Sequence, residues 1–135
     1  MAISDWTNLL TDPRGLTEVF SEVPALGHCF LYSVHIDERD RGITLGFDTR
    51  SVPDRPRPEW LRTEFNAFEF FLTFTQVTEL SLHGWDSVTD RTAELSRSPR
   101  GGITVHVANS REAISFHASY AHLSLCRVYL ASSSD

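Results

Sequence analysis

The strongest structural signal in this chain comes from residues 65–74, which read FNAFEFFLTF. Large apolar side chains recur there at every second position, and a period of two is that of a β-strand with one buried face. These inward positions are Phe68, Phe70, Leu72 and Phe74. Phe71 falls on the opposite face. We therefore predict a central strand whose second face is covered by the N-terminal helical segment, through Leu16, Val19 or Phe20.

The segments around this strand predict further antiparallel strands. From His28 to Asp48, apolar residues alternate on both sides of a charged turn at 37–42, which predicts a β-hairpin. Downstream of residue 75, short alternating runs separated by turn signals bring the total to about eight strands, and short connections make neighbouring strands antiparallel. Before Pro24, apolar residues recur at intervals of three and four, which predicts two short helices or one broken helix.

Together these elements predict one domain, residues 1–135, of the α+β class. Its architecture is a mostly antiparallel β-sheet or sandwich of about eight strands, with one or two short N-terminal helices packed on it. The chain has the length of a typical single domain. With 41% apolar residues and 11% aromatic residues, it can bury a core without disulfide or metal support.

The charge balance excludes some classes of partner. The net charge is −6, and all twelve basic residues are arginine. A nucleic-acid binder needs a basic face to replace the counterions of phosphate, and so does a protein that binds an anionic membrane surface. We therefore expect neither nucleic acid nor a membrane as a partner.

Motifs for catalysis or cofactor binding are missing from the sequence. Gly101-Gly102 stands without the further glycine or lysine of a nucleotide-binding loop, and no Gly-x-Ser-x-Gly nucleophile elbow occurs. His117 and His122 lie five residues apart, so on one strand they face opposite sides and cannot share a metal unless a turn separates them. We expect a protein that is not an enzyme and has no cofactor or metal.

The two cysteines and the N-terminal sequence indicate the cellular compartment. Cys29 and Cys126 match neither the spacing of a zinc site nor that of a redox pair. The chain opens without a basic and apolar leader, and no apolar run approaches the roughly 20 residues that span a bilayer. We expect a cytoplasmic protein in which both thiols are unbridged.

Exposed charges and tryptophans are the candidates for partner contact. The densest charge cluster is the turn at 37–40, which is either a solvated hairpin tip or a contact loop for a basic partner, because exposed charges steer encounter. A tryptophan is either a core or loop anchor or, where exposed, an interface anchor. The candidate partner-binding residues are Asp37, Glu38, Asp40, Trp60, Asp86 and Asp90.

Landmarks along most of the chain occur in the order found in a known family. They are Trp6, Glu18-Val19-Phe20 and Val23-Pro24-Ala25-Leu26, then Ile43 to Asp48 with a proline-rich stretch ending in Pro58-Glu59-Trp60, and then Asn66 to Thr75 leading into residues 77–85. In these landmarks the chain resembles the immunity protein 50 family of bacterial polymorphic toxin systems. The later strands match only in their general alternation.

The resemblance implies a cytosolic immunity protein, encoded beside a toxin, that protects the producing cell by stoichiometric binding and catalyses nothing. The implied partner is the cognate toxin domain, and a homodimer is left open. Two other functions stay open: a small-ligand-binding β-rich domain with an apolar pocket, and an enzyme of unrecognised type. An enclosed cavity of roughly several hundred Å³ would favour the ligand-binding function, whereas a filled core would favour the binder.

Overall fold

The computed structural model describes residues 5–84, 91–109 and 111–132. Its strands are β1 (Phe30–Asp37), β2 (Gly42–Thr49), β3 (Ala67–Thr75), β4 (Thr78–His83), β5 (Thr92–Arg97), β6 (Ile103–Ala108), β7 (Ala113–Ala118) and β8 (Tyr120–Tyr129). The helical part of these ranges is one α-helix, α1 (Arg14–Thr17), and three 3-10 helices at Asp5–Leu9, Leu26–His28 and Pro58–Arg62.

The strands form two four-stranded sheets. The order is β1-β2-β3-β8 in the first sheet and β4-β7-β6-β5 in the second. Neighbouring strands are antiparallel throughout, and buried side chains from both sheets join one apolar cluster. The prediction of a mostly antiparallel β architecture with about eight strands is confirmed, and β1 with β2 forms the predicted hairpin.

The helical part is smaller than the α+β class implies, and that label fits the chain only loosely. The α-helix is four residues long. Pro13 lies just before it, with Gly15 inside it and Pro24 downstream, and both residue types disfavour a longer helix. The molecule is therefore mainly a β-protein in which short helical turns fill one part of the core.

Strand β3 is central, as predicted, because it pairs with β2 on one side and β8 on the other. Its inward side chains, Phe68, Phe70, Leu72 and Phe74, are at most 2% exposed. Phe70 stacks between Trp6 and Phe47, at ring-centroid distances of 5.7 and 5.2 Å. Phe74 contacts Phe116 of the second sheet edge-to-face, so this strand connects the packing of both sheets.

The prediction for the other face of β3 is wrong. Leu16, Val19 and Phe20 are buried, but Phe20 packs edge-to-face against Phe68, on the inner side of the sheet. Phe71 instead lies on the outer side, half-buried, with its ring 6.2 Å from that of Tyr32. A helix of one turn is too short to cover a sheet face, so its apolar side chains join the existing core.

Two β-bulges shift the alternation in the edge strands of the first sheet. The register of β1 against β2 skips Tyr32, and that of β8 against β3 skips Ser124. An extra residue moves the next side chain to the other face. Leu31 and Val34 therefore both face the core although they are three residues apart. Leu125 is 52% exposed although it follows Leu123 at the spacing of a single face.

Candidate functional site

The predicted acidic turn joins β1 to β2, and its acidic residues have two different roles. One carboxylate oxygen of Asp37 accepts hydrogen bonds from the backbone N–H groups of Arg39 and Asp40, at 3.1 and 3.4 Å. Asp37 is half-buried and holds the turn in shape, whereas Glu38 and Asp40 are exposed. The turn therefore presents Glu38 and Asp40 to a partner, and Asp37 is in part a structural residue.

An open groove of about 240 Å³ lies beside this turn. Ile36, Val77 and Leu80 supply apolar side chains to its walls, and the backbone N–H of Val77 donates to the carbonyl of Arg41 at 2.9 Å. That bond attaches the acidic turn to the connection between β3 and β4. The acidic turn thus has a fixed position relative to a small apolar surface.

Glu79 lines the same groove and is engaged in an ion pair. The guanidinium of Arg100 lies 2.7 Å from the Glu79 carboxylate. The hydrogen bond from Arg100 lowers the pKa of Glu79 below its usual value. Both side chains are mostly exposed, so solvent screens this pair and its contribution to stability is small.

Trp60 lies in the 3-10 helix that follows the proline-rich connection. Its ring is half-buried and packs edge-to-face against Phe68, with centroids 6.0 Å apart. The guanidinium carbon of Arg57 lies 4.9 Å from the Trp60 ring centroid, a cation–π distance. These contacts make Trp60 an anchor for the connection.

The structure does not bring the candidate residues together. Trp60 contacts Phe68 near the start of β3, whereas the acidic turn follows the β1–β2 end at which Ile43 pairs with Phe74. The two therefore lie toward opposite ends of the central strand. Asp86 and Asp90 fall outside the described residues.

The two histidines considered as possible metal ligands, His117 and His122, contact different residues. A ring nitrogen of His117 lies 2.8 Å from the carbonyl of Gly101, and one of His122 lies 3.0 Å from the hydroxyl of Thr11. A turn does separate the two histidines, and it places them in different sheets. Within residues 5–84, 91–109 and 111–132, no three His, Cys, Asp or Glu side chains are grouped to hold a metal ion.

Both cysteines are buried free thiols. Burial raises the pKa of the Cys29 thiol from 9.0 to about 12. Burial also raises the pKa of Cys126, although the Arg57 guanidinium, 3.6 Å from its sulfur, acts in the opposite direction. Since the thiolate is the nucleophile, neither cysteine is prepared for catalysis at neutral pH.

This burial predicts slow alkylation. At pH 8, iodoacetamide should modify Cys29 in the folded protein at least about 100-fold more slowly than in urea, because few Cys29 thiols are ionised in the fold. The raised pKa also stabilises the fold below pH 9, and that contribution should be lost as the pH rises from 9 towards 12. A Cys126→Ser variant isolates Cys29, and equal rates in folded and unfolded protein would contradict the prediction.

The outer face of the first sheet carries a side-chain network that the sequence analysis missed. Glu69, in β3, is only 6% exposed although it lies on the side opposite the core. Its carboxylate accepts hydrogen bonds from the Tyr32 hydroxyl and from Arg127, which lie on the two edge strands. Burial, followed by the bond to Glu69, raises the pKa of Tyr32, so the phenol stays protonated and donates.

Gly46 gives this face its shape. A Cβ atom at Gly46 would lie 2.8 Å from the ring of Phe71 and 3.1 Å from the Cβ of Ser33, so the glycine leaves space for the aromatic side chains to lie across β2. Tyr129 completes the network by donating its hydroxyl to Asp48 at 3.2 Å. A glycine within one strand and a glutamate within the next were the available sequence signals.

A second surface groove, of about 490 Å³, lies away from the acidic turn. It lies along β5 and is lined in part by Trp6, Leu9, Leu26 and Leu95. The groove opens to solvent, and the apolar cluster beneath it is filled by side chains from both sheets. This groove, the groove beside the acidic turn and two other grooves are open to solvent, whereas an enclosed cavity would favour a small-ligand-binding domain.

Comparison with known proteins gives one match. The family model described as Immunity protein 50 matches residues 12–129, which is most of the chain. No curated protein and no solved structure matches. In the ranges that the structure describes, no helix has the length and apolar character needed to cross a membrane.

Proposed function

The chain belongs to the immunity protein 50 family, and we propose that it neutralises a cognate bacterial toxin by stoichiometric binding in the cytoplasm of the producing cell. The family match over residues 12–129 carries this proposal. Such a protein acts through the free energy of binding, by covering or distorting the active region of the toxin, and needs no catalytic residue of its own. The filled core and open grooves are compatible with that mode of action.

We propose the acidic turn as one contact with the toxin. Glu38 and Asp40 are exposed and project from a turn that Asp37 holds in shape. A net charge of −6 favours encounter with a basic surface, and nuclease toxins carry basic grooves for their substrates. Trp60, Asp86 and Asp90 belong to the same proposal as further contacts.

The function is tested by expressing the toxin domain encoded beside this gene, with and without the chain. Cells that produce both proteins should survive, and the two should copurify. Death of cells that produce both proteins at equal levels would reject toxin neutralisation. The small-ligand-binding alternative has less support, because the groove of about 490 Å³ is open rather than enclosed.

The proposed contact between the acidic turn and the toxin is tested by the double variant Glu38→Lys/Asp40→Lys, which leaves Asp37 in place to stabilise the turn. Reversing two rim charges should slow association with the toxin by about 10-fold or more at low salt and reduce the salt dependence, with a smaller change in dissociation. Stopped-flow kinetics at two salt concentrations measure both rates.

The matched control is Glu18→Lys/Glu22→Lys, which changes the net charge equally at two exposed positions away from the turn. If the two double variants slow association to the same extent, overall charge rather than the acidic turn steers the encounter. Unchanged association in Glu38→Lys/Asp40→Lys would remove the turn from the interface and leave toxin binding itself intact.

A further inference from the structure

The outer faces of the two sheets differ in a way that the fold does not require. In strands β5, β6 and β7 of the second sheet, the positions that alternate with the buried ones carry small or polar side chains: Thr92, Glu94, Ser96, Thr104, His106, Ser115 and His117. This is the usual pattern of a sheet with one solvated face. The edge strand β4 is exposed along its whole length and includes Leu80 and Leu82. The outer side of the first sheet combines polar side chains, among them Ser33, Thr44 and Thr73, with apolar and aromatic ones: Phe30, Tyr32, Phe71, Leu125 and Tyr129.

Some side chains of this outer face are exposed to a partner, and others are held in one conformation by hydrogen bonds. Phe30 is 37% and Leu125 is 52% exposed, at the two edges of the sheet. Between them, Tyr32 and Arg127 are fixed by the buried carboxylate of Glu69. Side chains held in one conformation lose little entropy on binding, and tyrosine and arginine are enriched among residues that dominate binding energy.

We propose that this outer face of the first sheet is the main toxin-binding surface, and that it takes a toxin surface with basic side chains opposite the inner strands and apolar side chains opposite the two edge strands. The inference rests on the proposed function. The four strands contain Asp37, Asp48 and Glu69 against one arginine, Arg127, while Arg50 lies near Tyr129 and Arg57 lines a groove with Leu125. The carboxylates Asp48 and Glu69 on the two inner strands are therefore the feature that favours a basic group on the partner. The apolar contacts provide affinity, and the charges select a basic partner.

The size of the face and its position agree with this assignment. Four strands of about eight residues cover roughly 19 by 26 Å, or about 500 Å² in projection, and a standard interface buries about 800 Å² on each partner. The acidic turn adjoins the face, since Asp37 is the last residue of β1. The face alone therefore supplies more than half of the area that a standard interface buries, and the adjoining turn adds to it.

The test uses two opposite charges at one exposed position. Leu125→Arg should weaken binding of the neighbouring-gene toxin domain by at least about 30-fold, the effect of losing an interface hot spot. Leu125→Glu should bind about 10-fold more tightly than Leu125→Arg, because the added charge then attracts a basic surface. Titration calorimetry measures both affinities, and thermal melting shows whether each variant folds.

The matched control is Thr104→Arg, an exposed position on the outer face of the second sheet, which should bind within about twofold of the unchanged chain. As a second measurement, oxidative footprinting of the unchanged chain should show protection of Phe30, Tyr32 and Leu125 when the toxin domain is added. This measurement does not depend on the folding of any variant.

The outcomes separate this inference from the proposed function. If the unchanged chain does not bind the toxin domain, both fail. If it binds, but Leu125→Arg binds equally well and footprinting shows no protection, the inference is overturned and toxin binding stands. If Leu125→Arg instead turns a dimer into a monomer without changing toxin affinity, the face belongs to self-association and the inference is also overturned.

Discussion

Replacing Phe70 by alanine should lower the free energy of unfolding by about 3–5 kcal/mol, the usual cost of removing a buried aromatic side chain. Phe70 is 2% exposed and stacks on both Trp6 and Phe47. The variant therefore loses contacts to the N-terminal segment and to β2 together, and leaves a cavity that rigid β-strands cannot close. Urea unfolding followed by tryptophan fluorescence measures the effect.

The matched control is Phe30→Ala, the same substitution at a position that is 37% exposed in the same sheet. It should cost clearly less than Phe70→Ala, about 1–2 kcal/mol, because more than a third of the Phe30 side chain is already exposed in the fold. Equal losses in the two variants would contradict the assignment of inner and outer faces to the first sheet.

The second large effect concerns a buried ion pair between the two sheets. The side chains of Arg91 and Glu112 are 3% and 5% exposed, with 3.9 Å between a guanidinium nitrogen and a carboxylate oxygen. Arg91 also donates to the carbonyl of Leu31 in β1, at 3.2 Å. Glu112→Ala should lower the free energy of unfolding by about 3 kcal/mol, because it removes a buried carboxylate that lies beside a buried guanidinium.

The double variant Arg91→Met/Glu112→Leu distinguishes this cause from a loss of packing. Removing both charges should restore part of the stability lost in Glu112→Ala, because no buried charge is left beside an apolar side chain, although the Leu31 carbonyl then loses its donor. Asp12→Ala, at an ion pair whose side chains are 73% and 53% exposed, should leave the unfolding midpoint nearly unchanged. A double variant less stable than Glu112→Ala would contradict the account.

Alternation in β3 was enough to predict which of its side chains form the core. It did not reveal the bulges at Tyr32 and Ser124. A bulge is an extra residue relative to the paired strand, so the sequence of the bulged strand alone does not show it. For the same reason, Leu125 is outward-facing against the apparent pattern. Phe71 was assigned to a helix-covered face because an apolar residue opposite a buried face usually indicates a second covering layer.

The sequence predicted only the part of the candidate site whose residues are contiguous, which is the acidic turn. The acidic turn is a contiguous cluster, and its sequence showed the charges but not that Asp37 bonds to its own turn. The network of Glu69 with Tyr32 and Arg127 joins residues 37 and 58 positions apart. Only the strand order β1-β2-β3-β8 brings them together, and no spacing rule on one chain gives that order.

The central claim is that the chain inhibits a toxin by stoichiometric binding. The most direct measurement is a titration of toxin activity with the purified chain, with the toxin domain of the neighbouring gene held well above the dissociation constant. Activity should fall linearly and reach zero at one chain per toxin. It should return when the complex is denatured and the toxin alone is refolded. Complete and lasting loss of activity at a small fraction of one equivalent, or full activity at an excess of the chain, would contradict the account.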